Sequence, residues 1–291
     1  MPGFHYFPQL PLLARIAAEA EGLWLGTHVT LLPLHNPIEL AEIGAFLDVA
    51  SGGKFLLGLG YRPEEFSAFG VPMNERVSRL VEGVEIIRRL WSEERVTHAG
   101  RHWQFKDAGI RPRPLQARPP ILVGAQAEAA IKRAARIGDG WLLVPTPTTD
   151  KLGEQIALYR SAREAANLTT PEHICRLYEV GCAEDENAAF RRVAPYLLEK
   201  YASYAPWGLG GIAPNREGAP EQQLRRLAKD RFAIGTPAQV IDAMLAQHRL
   251  GITHLAMRVS WPGMPQDDIL ASIELIGRKV LPEVRKRTSR P

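Results

Sequence analysis

Apolar, β-rich runs lie near residues 24–31, 55–60, 121–125, 140–144, 173–182 and 254–259, and amphipathic runs separate them. The apolar runs lack the polar alternation of a sheet with one wet face, so they read as six strands covered on both sides. Residues 9–21 place Leu12, Leu13, Ile16, Ala17 and Ala20 on one helical face. In NPIELAEIGAFLDVASGG, Asn36 suits a cap, Pro37 the first turn and Glu39 the capping-box position. Leu40, Ile43, Leu47 and Ala50 form its expected buried stripe. Residues 74–91 give a longer helix with Val77, Leu80, Val81, Val84 and Trp91 in register. Strand and helix then alternate to a final helix over 267–284.

Two stretches break this rhythm. Residues 96–120 read as a hairpin followed by a Pro-rich connection, and PWGLGGIAPNREGAP (206–220) reads as a surface insertion or lid. Strands alternating with helices imply a parallel sheet with helices on both faces. No GxGxxG opens a βαβ unit, which favours a (β/α)8 barrel over an open dinucleotide-binding sheet. The expectation is one barrel domain over 1–291, with insertions near 96–118 and 206–230.

Charge adds little. Lys and Arg number 36 and Asp and Glu 32, for a net charge of +4 over 291 residues. No run of like charges suggests nucleic acid, while mild basicity suits small anionic ligands. Cys175 and Cys182 fall on opposite faces of one strand and cannot bridge each other, which implies a reducing, cytoplasmic location. No stretch approaches the ~20 apolar residues of a membrane span.

Barrel sites form at the C-terminal ends of strands, and three candidates fall there. Thr27 and His28 sit inside an apolar run, where they either contact a ligand or form a core pair bonded to neighbouring backbone. Gly58 and Gly60 end a strand and permit close approach of a flat ligand or a tight turn. Tyr61 follows, and Arg62 offers a fork for phosphate or carboxylate unless it is simply solvated beside Glu64 and Glu65. Gly124, Ala125 and Gln126 precede a helix starting near Ala127, whose free N–H groups can hold a phosphate, as any helix start can. His98 and His102 read as surface residues of the hairpin, and His254 as a residue at the barrel mouth. No metal-ligand spacing is present.

Together, LGTHVTLLPLHNPIELAE, LDVASGGKFLLGLGYRPEEFSAFGVPMNER, ILVGAQ…IGDGW and FAIGTPAQVIDAM…GITHLAMRV resemble the bacterial-luciferase-like family. That resemblance implies a (β/α)8 TIM barrel binding FMN or a deazaflavin. It implies a cis peptide at His28–Val29 under the flavin ring, GLGY at the ring's edge and the phosphate at Gly124–Gln126. FHYF (4–7) is similar to an active-site stretch of the family, which makes His5 the expected catalytic base. By the same resemblance the chain lacks a first β-α-β piece, leaving about six of eight strands. The implied activity is an FMN- and O2-dependent monooxygenase acting on a small organic substrate, with a separate flavin reductase and a homo-oligomeric state. The alternatives are deazaflavin-dependent hydride transfer and a truncated, non-catalytic flavin-binding paralogue.

Overall fold

The computed structural model describes residues 7–169, 173–204 and 217–289; His5 lies outside them. The described residues divide into two compact units, one of residues 7–142 with 162–169 and one of residues 143–161, 173–204 and 217–289.

The unit containing residues 7–142 opens with α1 (Gln9–Ala17), β1 (Leu25–Gly26), α2 (Pro37–Ala50) and β2 (Phe55–Leu59). It continues with α3 (Arg76–Ser92), β3 (Val96–Ala99), β4 (Gln104–Ala108), β5 (Ile121–Gly124), α4 (Glu128–Ile137) and β6 (Gly140–Leu143). β1, β2, β5 and β6 pair in that order, all parallel. The cap on α2 is as its sequence demands: Asn36 accepts from the Ile38 N–H at 2.9 Å. Leu40 and Leu47 of α2 and Ile86 and Ile87 of α3 are buried, each contributing about 1.5–3 kcal/mol.

Three expectations need correction here. The buried side of α1 is Leu10 and Ala17, while Leu12 and Ile16 are exposed. Both sets have helical spacing, so periodicity alone could not choose between them. In α2, Ala50 is exposed and the stripe rotates onto Ala41, Gly44 and Ala45. The run at 24–31 is not one strand: pairing shifts by one residue between Gly26↔Leu56 and the isolated bridge Thr30↔Leu59. Such a two-against-one shift is a bulge.

The β3–β4 hairpin is antiparallel, as expected, but its histidines are not surface residues. The side chains of His98 and His102 are 9% and 3% exposed, packed against α3. Glu82 of α3 accepts from the backbone N–H groups of His102 and Trp103 and lies 3.2 Å from His98 Nε2. Ser78 lies 2.8 Å from His102 Nε2. Burial pushes the Glu82 carboxyl up, but the Trp103 and His102 N–H groups and His98 outweigh it and hold it below the ordinary value. Glu82→Ala is expected to cost about 1–3 kcal/mol by stranding two N–H donors. Proteolysis within residues 96–108 should rise correspondingly. Because the folded pKa is depressed, this anchor is complete above the ordinary carboxylate range and weakens as pH falls below it.

The other unit contains residues 149–161 of α5 (Thr149–Glu164), β7 (His173–Cys182), α6 (Glu186–Tyr204), α7 (Pro220–Ala228) and β8 (Ala233–Gly235). It ends with α8 (Pro237–Leu250), β9 (His254–Arg258), α9 (Gln266–Leu275) and α10 (Leu281–Thr288). A π-helical stretch, Ile276–Val280, interrupts what the sequence suggested was one C-terminal helix. β7 pairs in parallel with β9 along Cys175–Glu179 and with β8 along Val180–Cys182. Both cysteines are free, and burial pushes each thiol up to about 11. His254 is the first residue of β9, its ring 5.1 Å from that of His173 at the start of β7. It therefore lies at the end of the strands opposite to the expected mouth.

Two buried ionic groups organise this unit. Arg176 is fully buried and donates to Gln247 and to the carbonyls of Pro145, Pro147 and Arg231. Its guanidinium lies 4.6 Å from the centre of the Tyr178 ring, and burial lowers its pKa to about 10. Glu179, also fully buried, takes Lys200 and Arg258 as ion-pair partners and accepts from Tyr201 Oη and Trp261 Nε1, each at 3.0 Å. Among the described residues, no helix is long and apolar enough to cross a membrane.

Candidate functional site

The candidate residues converge where β1, β2 and β5 end. Thr27 is 4% exposed, and its hydroxyl donates to the Gly58 carbonyl at 2.7 Å while accepting from the Gly58 N–H at 2.9 Å. Both bonds are spent inside the sheet, so Thr27 follows the core reading of its position. The His28–Val29 peptide is cis. His28 is exposed and Val29 half-buried. Thr30 then returns to the sheet: its N–H donates to the Gly58 carbonyl and its carbonyl accepts from the Gly60 N–H.

The three glycines differ in what they make room for. A Cβ at Gly58 would lie 1.8 Å from the Thr27 carbonyl oxygen, and one at Gly60 would lie 2.8 Å from Val29 Cγ2. Close approach within the protein therefore requires both. At Gly124 the nearest atoms are the Leu59 oxygen at 3.4 Å and Val29 Cγ1 at 3.5 Å, which are ordinary contacts. Nothing in the protein demands a glycine there. Gly124 is half-buried at a strand end, so its missing side chain leaves surface open beside Val29.

Beyond Gly124, the Ala125 carbonyl accepts from Trp141 Nε1 at 3.1 Å, and Gln126 is exposed. α4 starts at Glu128 with no side-chain cap from Ala127. Its first-turn N–H groups and positive dipole end suit a phosphate. Glu128 puts an acid in that turn, and Lys132 balances it at 2.6 Å. On the other flank, Tyr61 meets Phe66 edge-to-face, with the Arg76 guanidinium 5.7 Å from its centre. Arg62 pairs with Glu65 at 2.6 Å, so part of its fork is already engaged. No group of three or more His, Cys, Asp or Glu among the described residues is arranged to hold a metal.

One residue outside this set reaches it. Gln9 Nε2 donates to the Val29 carbonyl at 3.1 Å and lies 3.2 Å from Thr30 Oγ1. Nothing in the sequence pattern marks this contact, because the partners are twenty positions away and Gln9 reads only as a helix start.

Residues 3–254 match the luciferase-like monooxygenase family. The chain belongs to that family. Among curated relatives, the F420-dependent glucose-6-phosphate dehydrogenase of Microbacterium testaceum is 30% identical over 98% of this chain and 85% of its own length. The F420-dependent hydroxymycolic acid dehydrogenase of Mycobacterium tuberculosis is 28% identical over 97% of this chain and 76% of its own. Among solved structures, the monooxygenase RslO1 of Streptomyces bottropensis superposes with a TM-score of 0.81 at 29% identity, covering 96% of this chain and 86% of that one. The fold class is accordingly that of the luciferase-like (β/α)8 barrels, and the chain is an oxidoreductase of this family.

Proposed function

We propose that the chain binds a flavin-type cofactor with the ring against Val29 and the phosphate at the start of α4, and oxidises or reduces a small organic substrate. The observation that carries this reading is the open surface at Gly124, flanked by Val29 and by an uncapped helix start. In this arrangement Val29 supports one face of the ring and keeps water from it. The backbone at Gly124, Ala125 and Gln126 and the first turn of α4 take the phosphate. His28, Tyr61 and Arg62 border the ring, while Thr27, Gly58 and Gly60 hold Val29 in place from behind. His5 is the proposed proton-transfer group, since an imidazole titrates near neutral pH. When bound, the cofactor supplies the redox chemistry.

The deazaflavin F420 is the first choice of cofactor, because the two curated relatives named above, which match nearly the whole chain, are F420-dependent. The second reading is an FMN-dependent monooxygenase, favoured by the likeness to RslO1. Only that reading needs a separate flavin reductase. Separate fluorescence titrations with F420 and FMN test the proposal. Saturable binding of F420 with weaker FMN binding is expected; tight FMN binding alone selects the second reading. Binding of neither sinks both.

A further inference from the structure

We propose that Gln9 is a positioning residue for the cofactor, fixing the Val29 carbonyl and with it the side chain on which the ring rests. This role rests on the reading above. The segment from Thr27 to Thr30 is pinned at its two ends, by the Thr27 hydroxyl on Gly58 and by the Thr30 backbone on Gly58 and Gly60. Val29 lies between the pins, where the strand pairing has shifted by one residue. Among the described residues, no backbone N–H donates to its carbonyl; the Gln9 carboxamide does, at 3.1 Å. The second contact of the same amide nitrogen, Thr30 Oγ1 at 3.2 Å, sits on a residue with no exposed surface. Both distances are those of ordinary hydrogen bonds, and a carboxamide nitrogen has two protons to give. The Val29 carbonyl shares one planar peptide with the Thr30 N–H, so Gln9 on the carbonyl and Gly58 on the N–H hold that plane from its two edges.

The consequence reaches the open surface directly. The Val29 side chain fills the space that keeps a Cβ off Gly60, and its Cγ1 would lie 3.5 Å from a Cβ at Gly124. With its carbonyl released, the Val29–Thr30 peptide is held only through the Thr30 N–H, so the plane tilts about that bond and the surface offered to the ring changes. Gln9 also stands four residues after His5, at the first position of α1.

The test is Gln9→Glu. Glutamate keeps the size of glutamine, and an acid in the first turn favours α1, but a carboxylate cannot donate to a carbonyl. A residue that merely starts the helix would therefore give a neutral or stabilising change. The expected result is a modestly lowered Tm, because the bond is already made without cofactor, and about tenfold weaker binding of F420 or FMN as Val29 loses its fixed position. In the cofactor-free protein, amide exchange at Val29–Leu31 should quicken. Wild-type affinity and wild-type exchange in the variant would overturn the role. If wild-type protein binds neither cofactor, the functional reading falls and takes this role with it. Quickened exchange in the variant would then show that the failure lies with the cofactor and not with the Gln9–Val29 bond.

Discussion

Glu179→Gln should destabilise the protein by about 3–5 kcal/mol, the usual cost of removing one partner from a buried ion pair. Glu179 is fully buried and the side chain of Lys200 is 3% exposed. Burial pulls the Lys200 ammonium down to about 8 even with Glu179 beside it. The Glu179 carboxyl is also pushed up by burial, but Arg258 and Lys200 outweigh this and hold it below its ordinary value. A glutamine keeps the shape and can still meet Tyr201 and Trp261, yet it leaves two cations facing no charge. The variant's loss should depend on pH in a definite direction. With its counter-charge gone, Lys200 falls further below about 8, while the unfolded chain keeps an ordinary lysine near ~10.4. Between those values the unfolded state binds more protons, so the variant gains stability as pH rises. Urea denaturation of both proteins from pH 7 to 10 reads this directly. A second change, Lys200→Met, should recover much of the loss, because a buried pair replaced by apolar groups is often tolerated.

Gly58→Ala is the second large effect expected, at about 3 kcal/mol or more, because the clash involves backbone that cannot rotate away. The new carbon would sit 1.8 Å from the Thr27 carbonyl oxygen and 2.8 Å from Leu142 Cδ1. Relief requires prising β1 from β2, which also breaks the two bonds between Thr27 and Gly58. The neighbouring glycines set the scale. The nearest atoms to a new carbon in Gly60→Ala all belong to the Val29 side chain and none to backbone, so its cost should be smaller. Gly124→Ala meets ordinary contacts and should fold with wild-type Tm, yet the added methyl would occupy the surface proposed for the ring. Calorimetry with F420 and FMN titrations on the three variants separates these cases. Wild-type cofactor affinity in Gly124→Ala would remove the argument for a ring at that position.

Much of the fold was legible because its signals are local. Each of the six apolar runs contains a strand, and Asn36–Pro37 and Thr236–Pro237 both start helices. β8 escaped because three residues carry no period, and α7 because it directly follows a Gly- and Pro-rich stretch. The misreading of His98 and His102 has a different cause. Their burial depends on Glu82 and Ser78 of α3 and on Glu75 just before it, and nothing within the hairpin records them. The site divides in the same way. Gly58 and Gly60 announced close approach, but not that the approaching atoms would be Thr27 and Val29 rather than a ligand. Gln9 gave no signal at all.

The position of β7 also has a consequence for synthesis. Its partners within its unit, β8 and β9, both come later in the chain: the last residue of β7 is Cys182, and β9 ends at Arg258. At about 5–20 residues per second, a ribosome needs roughly 4–15 s to cover that interval. During those seconds the β7 edge that β8 and β9 cover waits unpaired in the nascent chain, with Arg176 and Glu179 still without Arg231, Gln247 and Arg258. Slowing translation across 183–258 should therefore lower the soluble yield, and co-expressed holdase chaperones should restore it.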